Sequence, residues 1–339
     1  MFRKLLPVFS LLISASGFAD AIDVSVSGRA LIGQGVPTLN VHILEPIAGF
    51  RVKLNRSDGK PVDIKGGGKP GVTRALQLDQ PEGTFTYQGE LTVNFPDGTT
   101  SSMPLQFETE LFGPLRMKLE KGDVKVDERK VTFRISRPAG KAHVKVLMDT
   151  GKVVMDDDVL FNGEPADSPL EITWPQAPGK VMKIHIQAYD TSTFFTGVEI
   201  FPWQVDIPHE EVNFDSGKWD IRQQEQGKLD KSFALIREAV TKYGRLADIK
   251  LYIAGHTDSV GSTASNRTLS LNRARSIGAY LRKKGLRIPV LYEGFGEEAL
   301  LVGTPDETDE QANRRAEYII AVEAPHLKNP PFAPSWQRL

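Results

Sequence analysis

The chain contains no cysteine. No disulfide can staple it, no thiolate can ligate a metal, and no lipid can be attached through a cysteine behind a leader. A bias of charge is missing too, since 42 Lys and Arg stand against 43 Asp and Glu, a formal net charge of -1. A general nucleic-acid binder needs excess cations to displace phosphate counterions, so that class is excluded. Beyond the amino terminus no apolar run approaches the ~20 residues that a membrane-spanning helix needs.

The first 21 residues, MFRKLLPVFSLLISASGFADA, carry Arg3 and Lys4, then an apolar stretch interrupted by Pro7, then Ala19-Asp20-Ala21. That order reads as a secretory signal peptide (1–21), cut after Ala19 or Ala21, and predicts a soluble secreted chain. A length of 339 residues is too great for one typical domain.

From residue 22 to about 207, apolar and polar residues alternate in short runs such as Val52-Lys53-Leu54, Phe85-Thr86-Tyr87 and Val144-Lys145-Val146. Asp58-Gly59, Asp97-Gly98 and Thr150-Gly151 supply turns between such runs, so the region is all-β. The segment EPIAGFRVKLNRSDGKPV (45–62) aligns without gaps on RPAGKAHVKVLMDTGKVV (137–154). The offset of roughly 92 residues is the size of one small β-sandwich, which predicts two tandem immunoglobulin-like or fibronectin-like repeats over 22–113 and 114–207. KGGGKPG (65–71) lacks the Gly-Lys-Ser/Thr ending of a phosphate loop and is expected to be a mobile hairpin.

After Pro208 the period changes. Leu229, Phe233, Ile236, Val240 and Tyr243 mark an amphipathic helix ended by Gly244. Leu251 to Ala254 reads as a buried strand, 263–284 as a second helix, 290–292 as a strand, 306–313 as helical and 316–322 as a last strand. Alternation of this kind predicts a compact α/β domain over 208–324. The remainder, 325–339, is proline-rich and is expected to be a flexible tail, with Phe332 and Trp336 available as a docking peptide.

On the second helix Leu271, Ala274, Gly278 and Leu281 form an apolar face, and Asn266, Ser270 and Arg273 a polar stripe. The stripe can face back toward Thr257 and Asp258 at the carboxyl end of the preceding strand, where open α/β sheets bind ligands. His256 has no second histidine close in sequence, so a zinc site has no support, and no cofactor is implied. Neither a nucleophile elbow nor a paired carboxylate accompanies it, which excludes the usual hydrolytic constellations. An Asp beside an Arg can grip a zwitterion, the ammonium on Asp258 and the carboxylate on Arg273. It can equally pair internally to fix the strand-helix turn, and the two residues alone leave both readings open.

GHTDSVGSTASNRTLSLNRARSIGAYLRKKG (255–285), GFGEE (294–298) and DETDEQANRRA (306–316) together resemble the OmpA-like peptidoglycan-binding domain, closest in pattern to its peptidoglycan-associated lipoprotein branch. The resemblance covers about a third of the chain. It implies a two-layer α/β fold, peptidoglycan as partner and meso-diaminopimelate of the stem peptide as ligand, without catalysis. By motif, Asp258 takes the ammonium and Arg273 the carboxylate, while Thr257, Asn266 and Leu269 shape the pocket. VNFDSGKWDI (212–221) matches the family's first strand and turn, placing Ser216 and Gly217 at the rim. Asn313, Arg314 and Arg315 match its Asn-Arg-Arg and are expected to brace the site. Leu300 stands where members often carry proline.

The resulting expectation is a periplasmic, wall-associated protein of a Gram-negative envelope, at the inner face of the outer membrane, whose β modules engage an envelope protein complex. The alternatives are an outer-membrane β-barrel with a wall-binding domain, and an enzyme acting on the wall.

Overall fold

The structure, a computed structural model, describes residues 10–12, 21–120, 122–327 and 330–339. Most of the expected signal peptide lies outside the described residues; of it, Ser10–Leu12 forms a strand antiparallel to Ile22–Ser27. The chain divides into two compact units, the first running to Arg116 with Ile135–Arg137 and Ser192–Phe195, the second taking the rest.

In the first unit two sheets enclose one core. Ser10–Leu12, Ile22–Ser27, Thr38–Ile43 and Thr73–Gln77, in that order, build one sheet; Arg29–Leu31, Thr100–Phe112, Gly83–Asn94, Gly49–Arg56 and Pro61–Gly66, in that order, build the other. Val24, Leu39 and Val41 from the first sheet share a cluster with Val52, Leu91 and Leu105 from the second. Alternation puts these residues inward and Lys53 and Glu90 outward, as in a face-to-face pair of sheets.

That arrangement corrects two expectations. The 65–71 segment is a crossover: the strand before it pairs with Gly49–Arg56 and the strand after it with Thr38–Ile43, so it links two sheets and is no hairpin. The β-barrel reading also fails among the described residues. Gly83–Asn94 and Thr100–Phe112, at 12 and 13 residues, are long enough to cross a bilayer, contrary to the short strands expected. Their apolar rows, however, point into a closed core, where a membrane barrel needs them facing lipid. No helix among the described residues is long and apolar enough to cross a membrane.

The β region of the second unit repeats the same neighbour order. Val153–Glu164, Ala139–Met148, Val181–Asp190 and Phe195–Ile200 form one sheet, and Lys130–Ile135 pairs with Leu170–Thr173 in another. The aligned hairpins close identically. Gly59 N donates to Arg56 O and Gly151 N to Met148 O, with the glycines at φ of 87° and 85°, so each is a three-residue turn that needs a left-handed residue.

This β region is continuous with the α/β region. Met182 and Trp203 lie in the same core cluster as Leu229, Ile236 and Tyr243, with the Trp203 ring 4.7 Å from that of Tyr243 and its Nε1 donating to Asp149 Oδ2 at 3.3 Å. Gln204–Asp206, placed by sequence in the β repeat, is instead an edge strand of the α/β sheet.

That sheet runs in the order Gln204–Asp206, Ala316–Ala321, Lys250–His256, Val290–Gly296, Gln337–Arg338. Lys250–His256 is parallel to Val290–Gly296 and antiparallel to Ala316–Ala321. Helices α1 (Gln226–Tyr243) and α2 (Thr263–Lys283) cover one face, packing on Leu251, Ile253, Val290 and Ile320. Two glycines let α2 lie close on the strands: a Cβ on Gly255 would sit 2.3 Å from Ser270 O, and one on Gly294 2.4 Å from Leu271 N. Ser262 caps α2, its hydroxyl accepting from Ser265 N.

The opposite face exposes Tyr252, Ile319 and Ala321, and the expected flexible tail covers it. Leu327 and Trp336 pack against these residues, Phe332 stacks on Phe295 at 5.2 Å, and Gln337–Arg338 adds a strand beside Val290–Gly296. Proline prevents a helix here but not a surface strap, because the sheet's second apolar face needs a cover. The helix expected over 306–313 shrinks to a 3-10 turn, Gln311–Asn313. Glu307 holds a left-handed φ of 54°, and Glu310 caps Ala312 N, so the helix cannot start earlier.

Candidate functional site

The Lys250–His256 strand delivers Thr257 and Asp258 just beyond its carboxyl end, and the loop to α2 turns back beside them. Thr257 N donates to Gly296 O, and Ser259 Oγ donates to Pro305 O, so the loop is anchored on both flanks. A cleft of about 520 Å³ opens there. Thr257, Asp258, Asn266, Leu269, Arg273, Ser216, Gly217, Arg314 and Arg315 all line it. Asn313 does not: it is fully buried, accepting from Leu301 N and Val302 N and donating to Val302 O, and so fixes the loop after the GFGEE turn.

The polar stripe of α2 divides. Ser270 belongs to the sheet-facing side, its hydroxyl donating to Arg267 O and accepting from Gly296 N at 2.9 Å. Asn266 is buried and donates through Nδ2 to Val260 O at 3.1 Å and Glu297 Oε2 at 2.5 Å, which holds the loop carrying Asp258 against the helix. Only Arg273 reaches across the cleft. Its Nε donates to Lys218 O at 3.1 Å and Nη2 to Asp215 O at 3.4 Å, and its guanidinium carbon lies 5.0 Å from the centre of the Phe214 ring. The strand implied at 212–221 is absent, but the turn is formed, with Gly217 at φ 65° aiming both carbonyls at Arg273.

Asp258 and Arg273 do not pair with each other. Asp258 is 8% exposed, and its Oδ2 accepts from Nη1 of Arg314. The same Nη1 donates to Asp309 Oδ1, and Nη2 donates to Gln311 Oε1 at 2.5 Å. Arg222 is matched by Glu225 and Asp215, and Arg315 by Glu317. Among the described residues Arg273 is therefore the cleft arginine that bonds backbone carbonyls alone. Burial pushes it below its usual pKa; the charge of Asp258 opposes that shift and the charge of Arg314 reinforces it. Thr257 Oγ1, also buried, has no hydrogen-bond partner among the described residues.

His256 carries no charge here. Burial first, and the Arg315 charge second, push its pKa down to about 3, and its ring stacks on Phe295 at 5.3 Å. Among the described residues no group of three or more His, Asp or Glu could hold a metal ion. Phe214, Arg222, Asp309 and Gln311 also line the cleft and were not singled out by sequence. The i, i+3 spacing of Gln311 and Arg314 was the available signal for the last of them.

Residues 213–315 match the model of the OmpA family. The chain is 35% identical over 123 residues to the Photosystem I P700 chlorophyll a apoprotein A2 of Gloeobacter violaceus, covering 34% of this chain and 13% of that protein. It is 31% identical over 116 residues to Outer membrane protein P5 of Haemophilus influenzae, covering 34% of this chain and 29% of that one. The match thus spans less than a third of the length of either relative. The solved peptidoglycan-associated lipoprotein of Burkholderia pseudomallei aligns at 22% identity with a TM-score of 0.27, over 32% of this chain and 88% of that one.

Proposed function

We propose that the OmpA-family segment binds peptidoglycan by gripping a zwitterionic amino-acid terminus, meso-diaminopimelate of the stem peptide. Arg273 receives the carboxylate and Asp258 the ammonium, with Thr257 offering its hydroxyl between them. One observation carries the reading: a largely buried guanidinium faces the cleft without a carboxylate of its own. A planar donor fork in that state is completed by an incoming carboxylate through two charge-assisted bonds.

In this reading attachment, not catalysis, is the function, and the chain works in the periplasm after removal of residues 1–21. The two β regions, taken as tandem immunoglobulin-like or fibronectin-like sandwiches, hold an envelope protein while the carboxyl-terminal region holds the wall. The test is co-sedimentation of the full chain with purified peptidoglycan. Wild type is expected in the pellet and the doubly substituted Asp258→Asn, Arg273→Gln chain in the supernatant; equal sedimentation of both would refute the site.

A further inference from the structure

The two ends of the cleft rest in unequal states, and Arg314 is the cause. Its Nη1 already satisfies Oδ2 of Asp258, leaving Oδ1 as the oxygen without a donor among the described residues. Arg273 lies within the fields of both Asp258 and Arg314. The three side chains carry one negative and two positive charges. Asp309, the other partner of Arg314, holds that guanidinium in place, but its side chain is 78% exposed, so water weakens its charge as felt inside the cleft. A carboxylate entering this triad meets two guanidiniums. An ammonium meets an aspartate that is already half engaged.

We propose that Arg314 is a specificity-determining residue that makes ligand selection carboxylate-led. The proposal rests on the zwitterion reading above and adds the ranking of its two charges. Arg314 competes with the ligand's ammonium for Asp258, and Asp309 with Gln311 retains Arg314 when the ammonium arrives. The cleft then favours a zwitterion, tolerates a bare carboxylate and rejects a bare amine, although Asp258 alone would accept one.

Three probes that share the same chain between their charged ends separate the charges: meso-diaminopimelate, pimelate without the amines, and 1,5-diaminopentane without the carboxylates. Titration calorimetry on the full chain is expected to rank them in that order. Arg314→Gln raises affinity for 1,5-diaminopentane about fivefold and lowers that for pimelate by a similar factor. Asp309→Asn moves 1,5-diaminopentane the other way, because Arg314 then rests wholly on Asp258. Thermal unfolding alongside confirms that both variants are folded. An arginine that only supported the loop would weaken all three ligands together, and that outcome, or unchanged amine affinity in Arg314→Gln, overturns the proposal. Wild type binding meso-diaminopimelate but taking 1,5-diaminopentane as readily as pimelate defeats this inference alone. Wild type binding none of the three defeats the zwitterion reading as well.

Discussion

Where Tyr252, Ile319 and Ala321 reach the surface of the α/β sheet, the chain's own last residues cover them. Where Arg273 and Thr257 reach the cleft, no described side chain hydrogen-bonds the Arg273 guanidinium or the Thr257 hydroxyl. The covered face is apolar and the uncovered one polar, so burial within the chain suffices for the first, while the second keeps a charge facing outward. Substitutions should therefore separate stability from binding, each face yielding one and sparing the other.

The largest effect belongs to the covered face. Trp336→Ala removes contacts with Tyr252 and Phe295 and should lower the unfolding free energy by about 3 kcal/mol in urea titration, with meso-diaminopimelate affinity unchanged. Arg273→Gln does the converse: affinity should fall roughly 100-fold with the melting temperature little altered, because its present bonds are to exposed turn carbonyls. Asp258→Asn should cost less, roughly tenfold, since Arg314 already engages one of its oxygens.

The smallest effect concerns pH. In the folded chain His256 stays unprotonated between its ordinary value near 6.5 and about 3, whereas in the unfolded chain it takes a proton there. Its contribution to stability is present above 6.5 and is lost as pH falls toward 3. His256→Phe keeps the stack on Phe295 and should flatten the acid loss of stability between about pH 6.5 and 4.5 in thermal melts. Affinity for meso-diaminopimelate should show no inflection near 6.5; one would mean that His256 charges and contacts the ligand.

What was legible in the sequence follows the range of the forces involved. Strand, loop and helix around Thr257, Asp258 and Arg273 are consecutive, so their spacing alone brings them to one cleft. Gly59 and Gly151 likewise announced their turns locally. The tail was misread because its partners, Tyr252, Phe295 and Leu291, lie far back in the chain, and proline reports only on local helix. Arg314 was expected as a brace, but its bond to Asp258 crosses 56 residues, and no periodicity encodes such a pairing. Gln204–Asp206 was read with the β repeat for the same reason: the strand it pairs with, Ala316–Ala321, lies far along the chain, beyond both helices.

The central claim is that the open cleft takes a free zwitterionic terminus of the wall. The most direct measurement is competition: the full chain bound to diaminopimelate-type peptidoglycan, challenged with free meso-diaminopimelate or with its diamide, in which the carboxylates are neutral. The account predicts release by meso-diaminopimelate and none by the diamide at equal concentration. Equal release by both, or by neither while the chain stays on the wall, would contradict it.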